Sequence, residues 1–254
     1  MYINATNIRK LLDSTEFAKN ILFLNSVDST NTYLKNLRDA KNGTVVISRE
    51  QTGGRGRMGK TFLSPVGGIY MSVLHNVSYY KLDIGKLTSC VALSVCKAIE
   101  SVTGLEPKIK WVNDVFLGDK KVCGILCEAV NDSQNNLKSV IIGIGLNVDD
   151  IALGADLDDI ATNLEKETGA NVSKNMLVAE ILNNLEKDLY TTNTPSFIEQ
   201  LRSRYFILGK KIKVTTGLES YCATVVDIDS SCRLIVKRGE QTIVLSSAEV
   251  SICY

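Results

Sequence analysis

The sequence changes its pattern at Leu208-Gly209, and this change constrains the fold more than any other feature. Upstream, residues 84–104 and 174–190 carry apolar residues at spacings of three and four, which is typical of amphipathic α-helices. Downstream, short segments with strand-like patterns follow one another at 212–215, 222–226, 234–237, 243–245 and 250–252. Short strands of this kind are typical of a small β-barrel. We therefore predict two domains, residues 1–208 and 209–254.

The first domain mixes strand-like and helix-like segments, which predicts the α+β class. Strand patterns occur at 44–48, 69–74, 108–117, 122–129 and 140–148. Further helical patterns occur at 195–207 and, as a short helix in an acidic loop region, near 159–167. Residues 1–25 are predicted to form a helical lead-in, because Ile8, Leu11 and Leu12 share one helical face.

The composition indicates a globular protein and excludes several functions. The chain is 44% hydrophobic and 22% charged, and its 29 basic and 28 acidic residues give a net charge of +1. No general positive field would attract nucleic acid, and neither a signal peptide nor a membrane span is present in the pattern. Seven cysteines without a Cys-x-x-Cys motif, together with one histidine, argue against a zinc site and favour reduced thiols. We therefore expect a cytoplasmic protein that binds neither nucleic acid nor membrane.

Residues 51–60 form the most unusual stretch. They contain four glycines, two arginines and a lysine, and Met58 is the only apolar residue among them. Such a stretch cannot bury a face, so it is neither a core helix nor a core strand. Glycine lets backbone N–H groups approach a ligand closely, and arginine presents a fork of donors that suits carboxylate or phosphate. The stretch predicts a mobile loop that closes on an anion, with a solvated basic turn as the alternative.

A second polar stretch, residues 28–32, precedes a run with helical spacing. Its sequence is Asp-Ser-Thr-Asn-Thr, which is typical of a helix N-terminus. Ser29, Thr30 and Asn31 therefore either cap the helix or bind a small polar ligand at its start.

Two lysines and an aspartate lie at the ends of predicted strands. An Asn-Asp pair interrupts the strand pattern of residues 108–117 and predicts a turn there. Lys110 and Asp114 are four residues apart and form either a surface ion pair or part of a site. Lys121 begins the next predicted strand, either as an exposed hairpin lysine or as an amine that reaches a site beside the sheet.

Motifs in these stretches follow one another in a fixed order. They are Asp28-Ser29-Thr30-Asn31, Gly54-Arg55-Gly56-Arg57-x-Gly59-Lys60, Lys110-Trp111-x-Asn113-Asp114, Lys121-x-x-Gly124-Ile125-Leu126-x-Glu128 and Gly143-x-Gly145-x-Asn147. Each motif alone is weak, but chance would have to produce all of them in order. In order and rough spacing they resemble the motifs of the biotin protein ligases, and the C-terminal strands resemble the SH3-like domain of that family.

The resemblance implies an α+β fold and a two-step reaction. The fold would be a mixed β-sheet with flanking helices, like that of class II aminoacyl-tRNA synthetases, followed by a small SH3-like β-barrel. Biotin's carboxylate would attack ATP to give biotinyl-5′-AMP, and a lysine of a biotin carboxyl carrier domain, of acetyl-CoA carboxylase or a related carboxylase, would then accept biotin. Because the first nucleophile is already an anion, the step needs charge neutralisation and alignment rather than a general base.

The resemblance also assigns roles to individual residues. The residues implied to bind biotin are Ser29, Thr30, Asn31, Gln51, Arg55, Gly56, Arg57, Gly68 and Lys121. Those implied to bind ATP or the adenylate are Arg55, Arg57, Phe62, Lys110, Asn113, Lys121 and Asn147. The catalytic residues implied are Arg57, Lys110, Asp114 and Lys121. Asp114 is further expected to hold Mg²⁺, which commonly takes one or two carboxylates plus substrate phosphates.

This sequence departs from the family pattern at two positions. Val112 stands where the family usually has proline, and Phe62 stands where tryptophan is frequent near the adenine, so weaker stacking is expected. The short segment before residue 26 leaves little room for a winged-helix domain, so the sequence resembles the monofunctional ligases.

Other functions remain open at this level. A lipoate–protein ligase shares the fold and the adenylation logic, although the Gly-Arg-Gly-Arg loop and Lys110-Trp111 favour biotin. A non-enzymatic biotin-sensing regulator would bind ligand without releasing pyrophosphate, and a general nucleic-acid-binding protein is disfavoured by the near-zero net charge. An exposed strand edge within residues 122–148 would allow a homodimer to form.

Overall fold

The computed structural model describes residues 3–77, 84–151, 154, 157–216 and 219–253. In chain order its elements are α1 (Ala5–Leu11), β1 (Ile21–Leu24), α2 (Thr30–Asn36), β2 (Val45–Ser48), β3 (Ile69–Asn76), α3 (Ile84–Thr103), β4 (Lys108–Lys110), β5 (Asp114–Leu117), β6 (Lys120–Asn131), β7 (Leu137–Leu146), α4 (Leu164–Thr168), α5 (Lys174–Thr191), α6 (Pro195–Arg204), β8 (Lys211–Thr215), β9 (Ser220–Ile228), β10 (Leu234–Arg238), β11 (Gln241–Leu245) and β12 (Glu249–Ile252). Residues 1–2 of the predicted lead-in, and residues 152–153 and 155–156 of the acidic loop region predicted before α4, lie outside these ranges.

The larger sheet has seven strands in the order β1-β2-β3-β7-β6-β5-β4. Strands β1 and β2 are parallel, and all the other neighbours are antiparallel. The sheet is therefore mixed, which confirms the predicted fold class. At its centre β7 pairs with β3 on one side and with β6 on the other, so its backbone groups are satisfied along both edges.

The two faces of this sheet are covered differently. On one face, Ile142, Ile144 and Leu146 of β7 join the main core, to which α3 and α5 contribute their buried sides. On the other face, Ile141 packs in a small cluster beneath α2. Because side chains alternate along a strand, Gly143 and Gly145 lie on the same face as Ile141. At these two positions of β7 the sheet therefore presents only backbone on that face.

The second sheet has five antiparallel strands in the order β11-β10-β9-β8-β12. Its strands match the predicted strand segments within a few residues. Trp111, in the turn between β4 and β5, joins the two sheets: its Nε1 donates a hydrogen bond to the backbone oxygen of Cys232 over 2.9 Å. Since α6 ends at Arg204 and β8 begins at Lys211, the predicted boundary at 208/209 falls in the connection between them. The division into two domains stays a prediction.

Three element predictions were wrong in detail. Ile21–Leu24 forms β1 rather than part of a helical lead-in. Four residues are too few to show a hydrophobic period typical of helix or strand, so the parallel pairing with β2 determines their conformation. The short helix near 159–167 is α4, which begins later because Asn163 caps it by accepting a hydrogen bond from the N–H of Lys166. Helix α6 ends at Arg204, before the predicted residue 207. No helix in the described ranges combines the length and apolar character of a membrane span.

Candidate active site

A cavity of about 420 Å³ lies on the α2 face of the large sheet. It is enclosed by the sheet, by the loop of residues 51–60 (the Gly/Arg loop), by Thr215, Val250 and Ser251 of the second sheet, and by Ala248 just before β12. Most of the residues assigned by resemblance line it: Ser29, Thr30, Asn31, Gln51, Arg55, Gly56, Arg57, Phe62, Lys110, Asn113, Asp114 and Lys121. These side chains come from distant parts of the chain, so the fold brings the motifs together.

Glycines form the floor of this cavity. Gly124 of β6 pairs directly with Gly145 of β7, and the ring of Phe62 rests on both. A Cβ atom at Gly145 would lie 2.5 Å from that ring, and one at Gly124 would lie 2.9 Å from it. Both distances are too short for real contacts, so a side chain at either position would displace Phe62. The two glycines thus allow an aromatic ring to approach the backbone of the sheet closely.

A buried polar pocket lies at the start of α2. The backbone N–H and the hydroxyl of Thr30 both donate to Gln51 Oε1, at 2.9 and 3.2 Å, and Gln51 Nε2 donates to Ser64 Oγ at 2.9 Å. Ser29 occupies the N-cap position without a side-chain capping bond to the described residues. The hydroxyl of Ser29 and one hydrogen of Gln51 Nε2 are therefore available as donors to a ligand.

Asn31 completes the pocket with a fixed orientation. Its Nδ2 donates to the backbone oxygen of Leu126 at 3.2 Å and to Glu128 Oε2 at 2.7 Å, so both amide hydrogens are engaged. Its Oδ1 lies 2.6 Å from Ser72 Oγ, which also lies 2.7 Å from Thr30 Oγ1 and can donate to only one of them at a time. Because Oδ1 keeps a free lone pair, Asn31 can accept a hydrogen bond from a ligand.

Cationic side chains line the rest of the cavity. Lys121 Nζ lies 2.7 Å from Asp114 Oδ1 and 5.6 Å from the centroid of the Phe62 ring. Arg57 donates to Asn113 Oδ1 at 3.3 Å and to Ser247 Oγ, in the connection between β11 and β12, at 2.9 Å. Burial lowers the pKa of Arg57 from its ordinary value, and the Asp114 carboxylate opposes this effect. The cavity therefore places a polar pocket beside a concentration of positive charge.

Among the described residues that line the cavity, Asp114 is the one acidic side chain. No group of three or more His, Cys, Asp or Glu side chains within the described part of the chain is arranged to hold a metal ion. A single carboxylate fits an ion that arrives with phosphate ligands, since Mg²⁺ keeps several waters and takes few protein ligands. The donor set thus suits a nucleotide-borne Mg²⁺ better than a resident metal.

Burial also perturbs Lys110. It lowers the pKa of this ammonium below the ordinary lysine value, while Asp114 raises the pKa and Lys121 and Lys60 lower it further. If Lys110 assists the first step of the reaction that the resemblance implies, the rate of pyrophosphate release should fall as alkaline pH removes its proton. Lys110→Arg should move this fall to higher pH, because arginine stays protonated. If wild type and Lys110→Arg lose activity over the same alkaline pH range in a pH–rate profile, Lys110 does not control pyrophosphate release.

Two residues assigned by resemblance lie elsewhere. Asn147 follows β7, is 8% exposed, and donates through Nδ2 to the backbone oxygen of Thr162 at 3.0 Å, so its amide holds the following loop. Gly68 lies beside a separate cavity of about 360 Å³, and a Cβ there would lie 2.4 Å from the Tyr70 hydroxyl. Neither residue is part of the main cavity lining, so the binding roles of Asn147 and Gly68 stay predictions that this cavity does not support.

Sequence reasoning missed three polar contributors. Glu128 stands inside a quoted motif, but no role was assigned to it. Ser72 lies in a strand whose composition indicates only burial. Ser247 lies in the connection between β11 and β12, and nothing in its local sequence indicates that it would reach Arg57.

Comparisons with known proteins identify the family and the fold of this chain. Residues 23–147 match the model of the biotin/lipoate A/B protein ligase family, and residues 207–252 match the biotin protein ligase C terminal domain. The solved biotin protein ligase of Aquifex aeolicus in complex with biotin and ATP superimposes with a TM-score of 0.81. It is 30% identical, and the match covers 92% of this chain and 99% of that one. The chain belongs to the biotin protein ligase family.

Curated relatives are similar to this chain over most of its length. The bifunctional ligase/repressor BirA of Bacillus spizizenii is 29% identical over 98% of this chain and 79% of its own length. The biotin–[acetyl-CoA-carboxylase] ligase of Paracoccus denitrificans is 29% identical over 88% of this chain and 96% of its own. The model matched at the C-terminus is described as a domain of biotin protein ligases, which favours biotin over the lipoate alternative.

Proposed function

We propose that the ligase joins biotin to ATP in the main cavity and then transfers biotin to a lysine of a biotin carboxyl carrier domain. The observation that carries this proposal is the junction between the polar pocket at the start of α2 and the cationic region around Lys121. A molecule with a polar ring at one end and a carboxylate at the other would span the two regions. Relatives named for biotin and acetyl-CoA carboxylase support the same substrate class.

The hydrogen-bonding groups of the pocket complement a ureido ring. Such a ring has a carbonyl oxygen that accepts and N–H groups that donate. The free hydroxyl of Ser29 and the remaining hydrogen of Gln51 Nε2 supply donors, and Asn31 Oδ1 supplies an acceptor. Because a site built to hydrogen-bond a substrate discriminates strongly against analogues lacking those groups, this pocket favours biotin over lipoate.

The cationic region suits the first chemical step. A carboxylate oxygen of biotin attacks the α-phosphorus of ATP, a new P–O bond forms, and the bond to the β-phosphate breaks to release pyrophosphate. Two anions must approach each other, so the charges of Arg57, Lys110 and Lys121 lower the barrier by neutralising them in place. Asp114 would be the protein carboxylate that holds a Mg²⁺ ion bound to ATP, and such an ion would neutralise part of the phosphate charge.

The second step needs no further cofactor. The neutral amine of the carrier lysine attacks the carbonyl carbon of biotinyl-5′-AMP, the amide bond forms, AMP leaves, and the amine loses a proton. The Gly/Arg loop would cover the labile anhydride until the carrier arrives. The activity requires ATP and carrier proteins, which is consistent with a cytoplasmic location.

A homodimer is also part of the proposal. β5 pairs with β6 only between Lys120 and Gly124, whereas β6 continues to Asn131. Within the described residues no strand pairs with Leu126–Asn131 on that side. Exposed edges of this kind invite pairing with a second chain, so analytical ultracentrifugation at increasing concentration tests the idea.

The activity itself is tested by intact-mass measurement of an acceptor carrier domain after incubation with ligase, ATP, Mg²⁺ and biotin. We expect the mass to increase by one biotinyl group. Reactions without ATP, reactions with lipoate in place of biotin, and an acceptor whose target lysine is changed to arginine serve as controls. An unchanged acceptor, or equal modification with lipoate, contradicts the proposal.

A further inference from the structure

Glu128 touches both halves of the site. It lies on β6, where its carboxylate accepts the hydrogen bond from Asn31 Nδ2 at 2.7 Å. The same carboxylate lies 3.3 Å from Arg55 Nη2 of the Gly/Arg loop through each of its oxygens. Its side chain is 25% exposed, and that of Arg55 is 49% exposed. One carboxylate therefore links the polar pocket to the loop.

The contact with Asn31 fixes which end of its amide faces the ligand. If the amide were flipped, Oδ1 would face the Glu128 carboxylate and the backbone oxygen of Leu126, and three acceptors would repel one another. Nδ2 would then face Ser72, and the pocket would offer a donor where it now offers an acceptor. A charge-assisted hydrogen bond to a side chain that is 4% exposed makes this orientation strongly preferred.

The contact with Arg55 ties the loop to the sheet. Besides Glu128, the Arg55 guanidinium donates to the hydroxyl of Thr32 on α2 at 3.1 Å. These bonds connect a glycine-rich segment to two rigid elements on the far side of the pocket. Because an exposed ion pair is weak and screened by salt, the tie can hold the loop closed and still release it.

We propose that Glu128 is a positioning residue that couples recognition of the biotin ring to closure of the Gly/Arg loop. The inference rests on the proposed function, since it takes biotin as the ligand of the polar pocket. Glu128 holds Asn31 in the accepting orientation and holds Arg55 over the pocket. Biotin donates to Asn31 and therefore binds best when Glu128 holds Asn31 in the accepting orientation. In the same arrangement the Glu128 carboxylate holds Arg55, and with it the Gly/Arg loop, over the pocket.

Two substitutions separate the roles. In Glu128→Gln the side-chain oxygen still accepts from Asn31, but the charge that holds Arg55 is lost. In Glu128→Ala both contacts are lost. We expect the glutamine variant to bind biotin within about threefold of wild type and to release preformed biotinyl-5′-AMP at least about fivefold faster. We expect the alanine variant to bind biotin about tenfold more weakly than wild type does. It should release biotinyl-5′-AMP as fast as the glutamine variant does.

The measurements are calorimetric titration with biotin alone and the escape rate of biotinyl-5′-AMP from preloaded ligase. Glu100→Gln is the matched control: Glu100 pairs with Arg204 at 2.7 Å between α3 and α6, outside the cavity. It should change neither readout. Arg55→Ala should accelerate escape less in the Glu128→Gln background than in wild type, because the contact between the two residues is already lost there.

The outcomes distinguish this inference from the proposed function. Equal biotin affinity for wild type and the alanine variant, in proteins with unchanged melting temperatures, overturns the role of Glu128. Additive effects of Arg55→Ala and Glu128→Gln on escape overturn the coupling. Biotin binding by wild type without adenylate formation refutes the proposed function, while the affinities still decide the role of Glu128 toward Asn31.

Discussion

Lys121→Met is expected to slow biotin-dependent pyrophosphate release by about 100- to 1,000-fold, which is the usual effect of removing one donor that stabilises charge in a transition state. The ammonium group lies 2.7 Å from Asp114 and above the Phe62 ring, at the centre of the cationic region. Methionine keeps the length and apolar stem of lysine but removes the charge. Single-turnover measurement of pyrophosphate release with saturating biotin and ATP reports the step directly.

Lys120→Met provides the control for this variant. Neighbouring residues on a strand point to opposite faces, and Lys120 donates to the backbone oxygen of Asp158 instead of facing the cavity. Its rate should stay within about twofold of wild type, because exposed polar contacts contribute little. A Lys121→Met protein that keeps more than about a tenth of the wild-type rate would contradict the role assigned to this lysine.

Gly143→Ala is expected to weaken biotin binding by about 10- to 100-fold, because displacing Asn31 leaves a buried donor of the ligand without its acceptor, which costs about 1–3 kcal/mol. The added Cβ would lie 2.4 Å from Asn31 Oδ1 and 2.9 Å from Nδ2 of the same amide. β7 is held by strands on both sides, so its backbone cannot retreat and Asn31 must leave its place. Calorimetric titration with biotin measures the loss.

Gly53→Ala is the matched substitution in the same protein. A Cβ at Gly53 would lie 3.4 Å from its nearest neighbour, the backbone oxygen of Asp28, which the chain can accommodate with a small shift. Biotin affinity should therefore change by less than about threefold. If Gly143→Ala binds biotin as well as Gly53→Ala does, Asn31 is not part of the biotin pocket.

The part of this site that the sequence predicted consists of residues whose local patterns can be recognised in the chain. Sequence identified the Gly/Arg loop, Lys110, Asp114 and Lys121, because their residue types are not typical of a buried core and match a family pattern. The mixed sheet and the C-terminal strands followed from periodicity and from the same resemblance. These features are local in the sequence, so they can be recognised without a structure.

Other features depend on contacts between distant segments. β1 is four residues long, and only its pairing with β2 distinguishes it from a helix end. Asn147 and Gly68 were placed at the site by resemblance, but the structure uses Asn147 to hold a loop and packs Gly68 against Tyr70. The two contacts of Glu128 join it to residues about 70 and 100 positions away in the chain, which no local pattern reveals.

Exchange of labelled pyrophosphate into ATP is the decisive measurement for the proposal that this cavity activates biotin. The ligase would be incubated with ATP, Mg²⁺ and labelled pyrophosphate, with and without biotin. We expect label to appear in ATP only when biotin is present, and to be reduced by Lys121→Met as strongly as pyrophosphate release is. Exchange that does not depend on biotin, or no exchange at saturating biotin, would contradict the formation of biotinyl-5′-AMP at this site.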